Sequence, residues 1–584
     1  MQNIKTPGVT IQEISKLPAS VAPVATAVPA FIGYTEKSIR GKEEIPVNTP
    51  VEISSMLEYE EIFGSPFKEA FGISLTGPST EPDDTSVEVT VPGSGLSPYR
   101  LYYNMRMYFA NGGGRCYVVS VGKYKENPTS GAIDSDELKK GVDALETEDE
   151  PTLIVVPEAT VLTDSGKRGG LYDRMRDQCA KLKDRFALMD VVEANDDDPI
   201  EDAKGFRGEI GMNNLNYGAA YYPALETSLR LSYLEESVQI TDKRGEDGVG
   251  PFHDLVLTNV PEGSENARGK IVILDNNEVA TNDVFTIGED DFKVVDSGPG
   301  DNEFELGGTE KGTAQNLASA VSDNDDYEVN RISNTGVVLV TAKEPGEDGT
   351  SIALGFSGSE DGVEVSGSSL ELEKPDKTLY NQINKELDKK RLTLYPASTL
   401  AGVYARVDRD RGVWKAPANV SLNLVDEPSV ILTDEEQAPL NVDADTGKSV
   451  NAIRKFHQKG TIVWGARTLA GNDNEWRYVP VRRLFIFIEE SIKKATEPVV
   501  FEPNVANTWS KTKAMIENFL TGLWRDGALA GATPEDAFYV KVGLGETMNS
   551  NDILEGRLII EIGIAAVRPA EFIILQFMHK LQES

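Results

Sequence analysis

The sequence is poor in cysteine, histidine, basic residues and long apolar runs. Of its 584 residues only two are cysteine and three are histidine, and 58 Lys and Arg stand against 95 Asp and Glu. A formal charge of -37 opposes the coating of nucleic-acid phosphates, which requires Lys and Arg to replace condensed counterions. No window offers the roughly 18 apolar residues of a membrane span, and the chain start lacks the basic and apolar regions of a secretion signal. We therefore predict a protein that neither binds nucleic acid nor inserts into a membrane.

The scarcity of cysteine and histidine also argues against most catalytic and metal sites. Cys116 and Cys179 lie in apolar contexts outside any CxxC pattern, which predicts two reduced, buried thiols. The three histidines, at 253, 457 and 579, lie in unrelated segments, and the sequence has no HExxH or GxSxG motif. We predict a protein that is not an enzyme, with no catalytic residue, metal or cofactor.

One short motif, Gly447-Lys448-Ser449, resembles the end of a phosphate-binding loop. Val442 stands where that loop needs its first glycine, and the residues before the motif form a polar segment instead of a buried strand. We predict that the motif opens a helix over 449–457, with His457 as the partner of its C-terminal dipole. A soluble nucleotide-dependent enzyme remains an alternative that this motif alone supports.

The charge is unevenly distributed along the chain. Residues 235–375 hold 31 acids and 9 bases, a net of -22, whereas residues 376–584 hold 28 acids and 26 bases, a net of -2. The near-neutral C-terminal third can pack against other copies of itself, while a segment at -22 repels its copies unless it faces solvent. This contrast predicts an inner part and an outer part of an assembly.

Hydrophobic periodicity predicts alternating helices and strands. Over 99–223 we predict helices at 99–110, 136–146 and 172–183, and strands at 116–121, 153–156, 186–192 and 219–222. Short apolar strands that alternate with helices indicate a sheet covered on both faces. In the C-terminal third we predict helices at 481–494 and 508–524, strands at 461–466 and 538–543, and a closing hairpin of strands 557–566 and 571–579. The acidic segment is predicted to be β-rich and flanked by helices at 229–234 and 378–387.

The predicted fold class is a multidomain α/β chain of mixed α/β and α+β character. It has an inner α/β domain built from both chain ends, a middle α/β domain, a peripheral β-rich insertion and two extended strand arms. The predicted divisions are an N-terminal arm at 1–20, an inner domain at 21–60 plus 390–570, a middle domain at 61–234 plus 376–389, an acidic outer insertion at 235–375 and a C-terminal arm at 571–584.

Several long segments resemble one protein family. They are AGVYARVDRDRGVWKAPAN (401–419), TIVWGARTL (461–469), EWRYVPVRRLFIFIEESI (475–492), FEPN (501–504), NFLTGLWRDGAL (518–529), DAFYVKV (536–542), TPGVTIQEI (6–14), AFIG (30–33), NGGGRCYVVSV (111–121), RFALMD (185–190) and AAYYP (219–223). Together they are similar to the tail sheath proteins of contractile phages and of related contractile injection systems. The resemblance spans about residues 1–230 and 390–584 and leaves the acidic insertion outside.

This resemblance implies a mechanical subunit without enzymatic activity. Such subunits form a homo-oligomer of six-fold rings, stacked helically around an inner tube protein and bounded by baseplate and terminal cap proteins. Contraction drives the tube through a target cell envelope. The implied location is a phage tail or phage-tail-like particle, made and assembled in the bacterial cytoplasm. The sequence leaves open whether the particle is a phage, a bacteriocin or an injection system. A static capsid or baseplate component is an alternative function.

The resemblance also implies that both chain ends donate strands to sheets of neighbouring subunits. The donated residues would be Val9, Ile11, Ile14, Phe572, Ile574, Gln576 and Met578. A strand that docks on another subunit's sheet edge gains main-chain hydrogen bonds and propagates the assembly; pairing of 6–14 within its own chain is the alternative. C-terminal-domain helices meet the tube in this family, so Lys511 and Lys513 are predicted tube contacts, with a solvated helix face as the alternative.

Overall fold

A computed structural model describes residues 21–575, except 78–83, 92–94, 127, 195–197, 245–247, 263–265, 322–323, 333–334 and 373. The predicted N-terminal arm at 1–20 lies outside the described residues. The chain divides into two compact units. Unit 1 comprises the described parts of Met1–Pro66, Pro98–Leu229 and Leu392–Ser584, and unit 2 comprises those of Phe67–Ser97 and Arg230–Arg391.

The secondary structure mixes strands and helices throughout, which confirms the predicted fold class. The strands are β1 (Pro29–Thr35), β2 (Ile39–Arg40), β3 (Glu43–Glu44), β4 (Pro50–Ile53), β5 (Glu69–Thr76), β6 (Ser86–Thr90), β7 (Cys116–Lys123), β8 (Leu153–Val155), β9 (Phe186–Asp190), β10 (Gly218–Tyr222), β11 (Leu225–Arg230), β12 (Tyr233–Asp242), β13 (Asn266–Ile273), β14 (Val284–Ile287), β15 (Asp290–Val295), β16 (Glu303–Glu305), β17 (Tyr327–Arg331), β18 (Val337–Pro345), β19 (Leu354–Phe356), β20 (Val363–Val365), β21 (Arg391–Leu394), β22 (Val420–Ser421), β23 (Val425–Pro428), β24 (Asn451–Phe456), β25 (Gly460–Val463), β26 (Phe538–Lys541) and β27 (Glu561–Ile564). The α-helices are α1 (Met56–Phe63), α2 (Leu101–Ala110), α3 (Ser135–Ala144), α4 (Ser165–Leu182), α5 (Pro199–Glu209), α6 (Asn259–Glu262), α7 (Glu310–Ala320), α8 (Lys377–Leu387), α9 (Ala397–Arg411), α10 (Asp434–Asn441), α11 (Val479–Thr496), α12 (Ala506–Arg525), α13 (Pro534–Ala537) and α14 (Ser550–Leu554).

Unit 1 is built on a nine-stranded sheet of order β22-β25-β24-β10-β9-β8-β1-β7-β4. The strands from β24 to β7 in this order run parallel, and β4, β25 and β22 join antiparallel at the edges. The central strands β1, β8, β9 and β10 are buried along their whole length, as expected for parallel strands covered on both faces. The predicted strands and helices between 99 and 223 are confirmed.

This sheet joins segments that the sequence assigned to different domains. Strands β1 and β24 fall in the predicted inner domain, and β7 to β10 fall in the predicted middle domain. The two predicted domains therefore share one sheet. Their roles as inner and middle layers of an assembly stay a prediction.

Unit 2 contains three small sheets, of order β12-β5-β6, β17-β18-β13-β20 and β16-β15-β14-β19. The second and third sheets and helix α7 enclose one apolar core, in which Phe285, Leu317 and Val340 are fully buried. Unit 2 takes in Phe67–Ser97 as well as the acidic segment, and the predicted border at residue 235 falls inside β12. The helix predicted at 229–234 is wrong, because Leu225, Thr227 and Leu229 alternate inward on strand β11.

Two further predictions in the C-terminal third are wrong. The helix predicted at 449–457 is strand β24, which pairs in parallel with β10 and antiparallel with β25. His457 therefore follows a strand, and the prediction that it interacts with a helix dipole is wrong. Among the described residues the predicted closing hairpin is not present either, because β27 pairs with β26 and residues 571–575 belong to no strand.

Candidate strand-acceptor site

Strands β26 and β27 form a separate two-stranded antiparallel sheet in unit 1. One face of this sheet is apolar: Val540 is buried, and Phe538, Ile562 and Ile564 are partly buried beside it. They pack with residues of helices α11 and α12, such as Leu484, Ile488, Ile516 and Leu520. A two-stranded sheet is marginal by itself, so this helix pair is what holds it in place.

The opposite face carries a cross-strand pair of a tyrosine and a glycine. Tyr539 lies opposite Gly563, and a Cβ added at Gly563 would stand 2.2 Å from the Tyr539 ring. The Tyr539 hydroxyl donates a hydrogen bond to Glu561 Oε1 at 2.8 Å. The ring therefore covers the glycine backbone, a device that pins the register of neighbouring strands.

The register shows which backbone groups of β27 point away from β26. The Ala565 N–H donates to the Ala537 carbonyl at 2.8 Å, and Val567 N–H to the Ala528 carbonyl at 3.3 Å. Because hydrogen-bonding direction alternates along an antiparallel strand, the N–H and C=O groups of Ile562, Ile564 and Ala566 point to the outer edge. Within the described residues, no strand pairs with that edge. On β26 the outward N–H of Phe538 already donates to Pro534, so β27 offers the longer open edge.

The residues after this sheet end in an exposed apolar segment. Phe572, Ile573, Ile574 and Leu575 are 71%, 79%, 82% and 72% exposed. Four consecutive large apolar side chains in solvent are costly unless a partner covers them. Unit 1 therefore carries both an open sheet edge and an exposed apolar segment, which are the features that strand addition requires.

The two predicted tube-contact lysines lie on helix α12, and most of the predicted donated residues lie outside the described part of the chain. Lys511 is exposed on α12, and Lys513 is half-buried, 3.9 Å from the carboxylate of Glu517. The predicted donated residues Val9, Ile11, Ile14, Gln576 and Met578 lie outside the described part of the chain. Strand exchange and tube contact at all of these positions stay predictions.

The motif that resembles a phosphate loop has a structural role. Lys448 is buried, and its Nζ donates to the carbonyls of Arg207 and Ile210 at 2.6 and 2.7 Å, at the end of helix α5. Burial lowers the pKa of Lys448. The Ser449 hydroxyl donates to the Asn441 carbonyl, and a strand, not a helix, follows. The motif therefore closes the C-terminal end of a helix, where a cation is favourable.

Sequence reasoning missed a buried carboxylate at the carboxyl edge of the large sheet. The chain passes from β1 to β7 on one side and then to β8 on the other, and ligands of open α/β sheets bind outside such a switch point. Here the Glu158 carboxylate fills that place: Oε2 accepts the N–H of Tyr34 at 2.9 Å, and Oε1 accepts those of Arg100 and Leu101 at 3.1 and 3.2 Å. Its position three residues after the apolar strand β8 is the available signal.

In the described part of the chain, no helix has both the length and the apolar character needed to cross a membrane. Among the same residues, no cluster of three or more His, Cys, Asp or Glu side chains is arranged to hold a metal ion.

Comparisons with known proteins agree with this architecture. The family model for the phage tail sheath C-terminal domain matches residues 471–579. The tail sheath protein of Vibrio phage KVP40 is 24% identical over 183 residues, a match that covers 31% of this chain and 26% of that protein. The chain thus spans about a quarter of that curated relative.

Two solved structures are similar over nearly the full chain. One is the sheath of the PVC extracellular contractile injection system in its contracted state, with 25% identity, a TM-score of 0.52 and coverage of 99% of both chains. The other is the contracted helical sheath of the anti-feeding prophage, with 26% identity, a TM-score of 0.53 and coverage of 99% of this chain and 100% of that one. The fold of this chain thus resembles that of contractile-sheath proteins. The chain is similar to tail sheath proteins, and residues 471–579 match the model of their C-terminal domain.

Proposed function

We propose that this protein is the structural subunit of a contractile tail sheath. It forms six-fold rings that stack helically around an inner tube protein, between a baseplate and a terminal cap, within a phage tail or tail-like particle assembled in the bacterial cytoplasm. On contraction the sheath drives the tube through a target cell envelope. The observation that carries this proposal is that one unit contains both the open β27 edge and the exposed segment 572–575.

Assembly proceeds by strand exchange. The C-terminal segment of one copy, with Phe572, Ile574, Gln576 and Met578, adds to a sheet edge of a neighbour, and Val9, Ile11 and Ile14 do the same from the other end. Main-chain hydrogen bonds hold such a strand whatever its sequence, and alternate side chains set its register. Since donor and acceptor are different surfaces, the contact continues from copy to copy.

Contraction requires no nucleotide. The work comes from the difference in interface free energy between an extended and a contracted packing of the same subunits. Glu158 supports this view, because its carboxylate occupies the place where an α/β sheet would receive a phosphate. The proposed tube contact is helix α12, at Lys511 and Lys513.

Electron microscopy of the purified full-length protein tests the proposal. We expect ribbed, hollow cylinders in negative stain, because each subunit carries both halves of a propagating contact. Persistent monomers that hydrolyse ATP would instead support the nucleotide-dependent enzyme. Closed particles, or the lack of long polymers, would support a capsid or baseplate component.

A further inference from the structure

The exposed C-terminal segment begins immediately after a tightly held glutamate. Glu571 directly precedes Phe572, and its side chain is bound at three positions of unit 1. Arg467 Nε donates to Glu571 Oε1 at 2.9 Å, and Arg467 Nη2 donates to Oε2 at 2.5 Å. Asn441 Nδ2 donates to Oε1 at 3.1 Å, and the Tyr478 hydroxyl donates to Oε2 at 3.2 Å.

The three partners belong to three different elements of the body. Asn441 ends helix α10, Arg467 follows strand β25, and Tyr478 immediately precedes helix α11. The Arg467 side chain is only 4% exposed and the Glu571 side chain 21%, so the pair is shielded from solvent far better than a surface ion pair. Burial alone would raise the pKa of Glu571, but the hydrogen bonds from Arg467 and Asn441 outweigh it and leave that pKa below its usual value.

The position of this contact is informative. Upstream, the preceding main-chain bond to the body is the one from Val567 N–H to Ala528, four residues before Glu571. Downstream, the next four side chains are at least 71% exposed. The carboxylate therefore marks the point at which the chain stops following its own subunit.

We propose that Glu571, held by Arg467, Asn441 and Tyr478, is an anchor that positions the C-terminal segment for donation to a neighbouring copy. This inference rests on the proposed function, and Glu571 acts as a positioning residue for the strand beyond it. Without the anchor the free segment would begin near Val567, which lengthens it by four residues and by roughly 13 Å of reach. A longer tether lowers the effective concentration of the strand at its acceptor edge and lets its register slip.

The anchor is tested in the full-length protein with Glu571→Gln, which keeps the side-chain size and removes the charge. Glu555→Gln is the matched control, since Glu555 is 59% exposed and pairs with the exposed Arg557. We expect Glu571→Gln to lower the yield of cylinders by about tenfold at a fixed subunit concentration. Glu555→Gln should assemble as the unmodified protein does. Undiminished assembly of folded Glu571→Gln would overturn the anchor.

A distance measurement separates positioning from general stability. Spin labels at Ile573→Cys and Asn518→Cys report the segment's position relative to α12, and the native thiols Cys116 and Cys179 are buried. Glu571→Gln should broaden this distance distribution in unassembled subunits, and an unchanged distribution would overturn the proposal. If Glu571→Gln does not fold, Tyr478→Phe removes one hydrogen bond without unpairing a buried charge, and it should produce the same changes at smaller size.

Truncation keeps this inference distinct from the proposed function. Removal of residues 572–584 should abolish cylinders. If that truncation assembles normally, strand donation from the C-terminal end fails, and the anchor fails with it. If the truncation abolishes assembly while folded Glu571→Gln assembles normally, strand donation stands and only the anchor is wrong.

Discussion

At the scale of single residues, two buried carboxyls brace the carboxyl edge of the large sheet. Glu158 accepts backbone N–H groups at the start of α2, and Asp190 accepts the Ala397 N–H at the start of α9 at 2.7 Å. Burial raises the pKa of each carboxyl to about 7, against the opposing effect of these backbone donors. Both side chains therefore titrate near neutral pH inside the folded protein.

The raised pKa of Glu158 predicts a pH dependence of stability. Between about pH 4.5 and pH 7 the folded state retains protons that the unfolded chain has released, so the free energy of unfolding falls as pH rises, by about 3 kcal/mol for Glu158. Glu158→Gln stays neutral throughout and should flatten that slope. Urea unfolding of unassembled subunits at pH 5, 6 and 7 measures it. The exposed control Glu61→Gln should keep the original slope, and equal slopes in all three proteins would contradict the prediction.

At the scale of secondary-structure elements, the proposed assembly would cover the apolar segment 572–575 and the β27 edge. Ile574 is 82% exposed, and Leu554 on α14 is 84% exposed. The two side chains expose similar fractions of their apolar surface in the isolated subunit, but only Ile574 lies on the proposed donated strand.

Substitution of these two residues tests that difference. Ile574→Asp should leave the melting temperature of the subunit unchanged, because the side chain is already in solvent, and should abolish cylinders, because a charge would be buried at the acceptor. Leu554→Asp, the matched control, should assemble normally. Thermal melting and sedimentation measure the two effects. Cylinders formed at normal yield by Ile574→Asp would count against the C-terminal strand as a donor.

Element assignment also shows where local pattern fails. Apolar runs such as those of β7 and β9 are strands in any environment that buries both faces, so they could be predicted from sequence. The helix that the sequence predicts at 449–457 is wrong because apolar spacing is ambiguous over so few residues. The pairing of these residues with β10, more than 200 residues earlier in the chain, decides the outcome.

At the scale of the whole molecule, the chain leaves unit 1 twice to form unit 2. The residues at the start and the end of each excursion lie close together. The Thr227 hydroxyl donates to the Leu392 carbonyl at 2.5 Å, so the two ends of the second excursion into unit 2 lie together. At the ends of the first excursion, the Ser97 N–H donates to Glu69 Oε2 at 2.9 Å. Both gaps in unit 1 can therefore be closed by short linkers.

A double excision tests the independence of unit 1. Replacement of both 67–97 and 230–391 by short Gly/Ser linkers should leave a protein that melts cooperatively, because each unit has its own core. A protein that lacks only residues 235–375 should aggregate, because this deletion cuts β12 and leaves β5 without its partner strand. Calorimetry and light scattering distinguish the two. A double-excision protein that fails to fold would contradict this division.

The amino-acid sequence by itself determined the α/β class of the body, the acidic character of the inserted segment and the long motifs that resemble those of tail sheath proteins. These properties depend on local composition and hydrophobic periodicity, which can be read without knowing which distant segments come into contact. Only the tertiary structure decided that β27 pairs with β26, that Lys448 closes a helix and that Glu571 is held by Arg467. Each of these depends on groups far apart in the chain, 104 residues for the last pair, and no local pattern encodes which distant group a strand edge or a buried charge will meet.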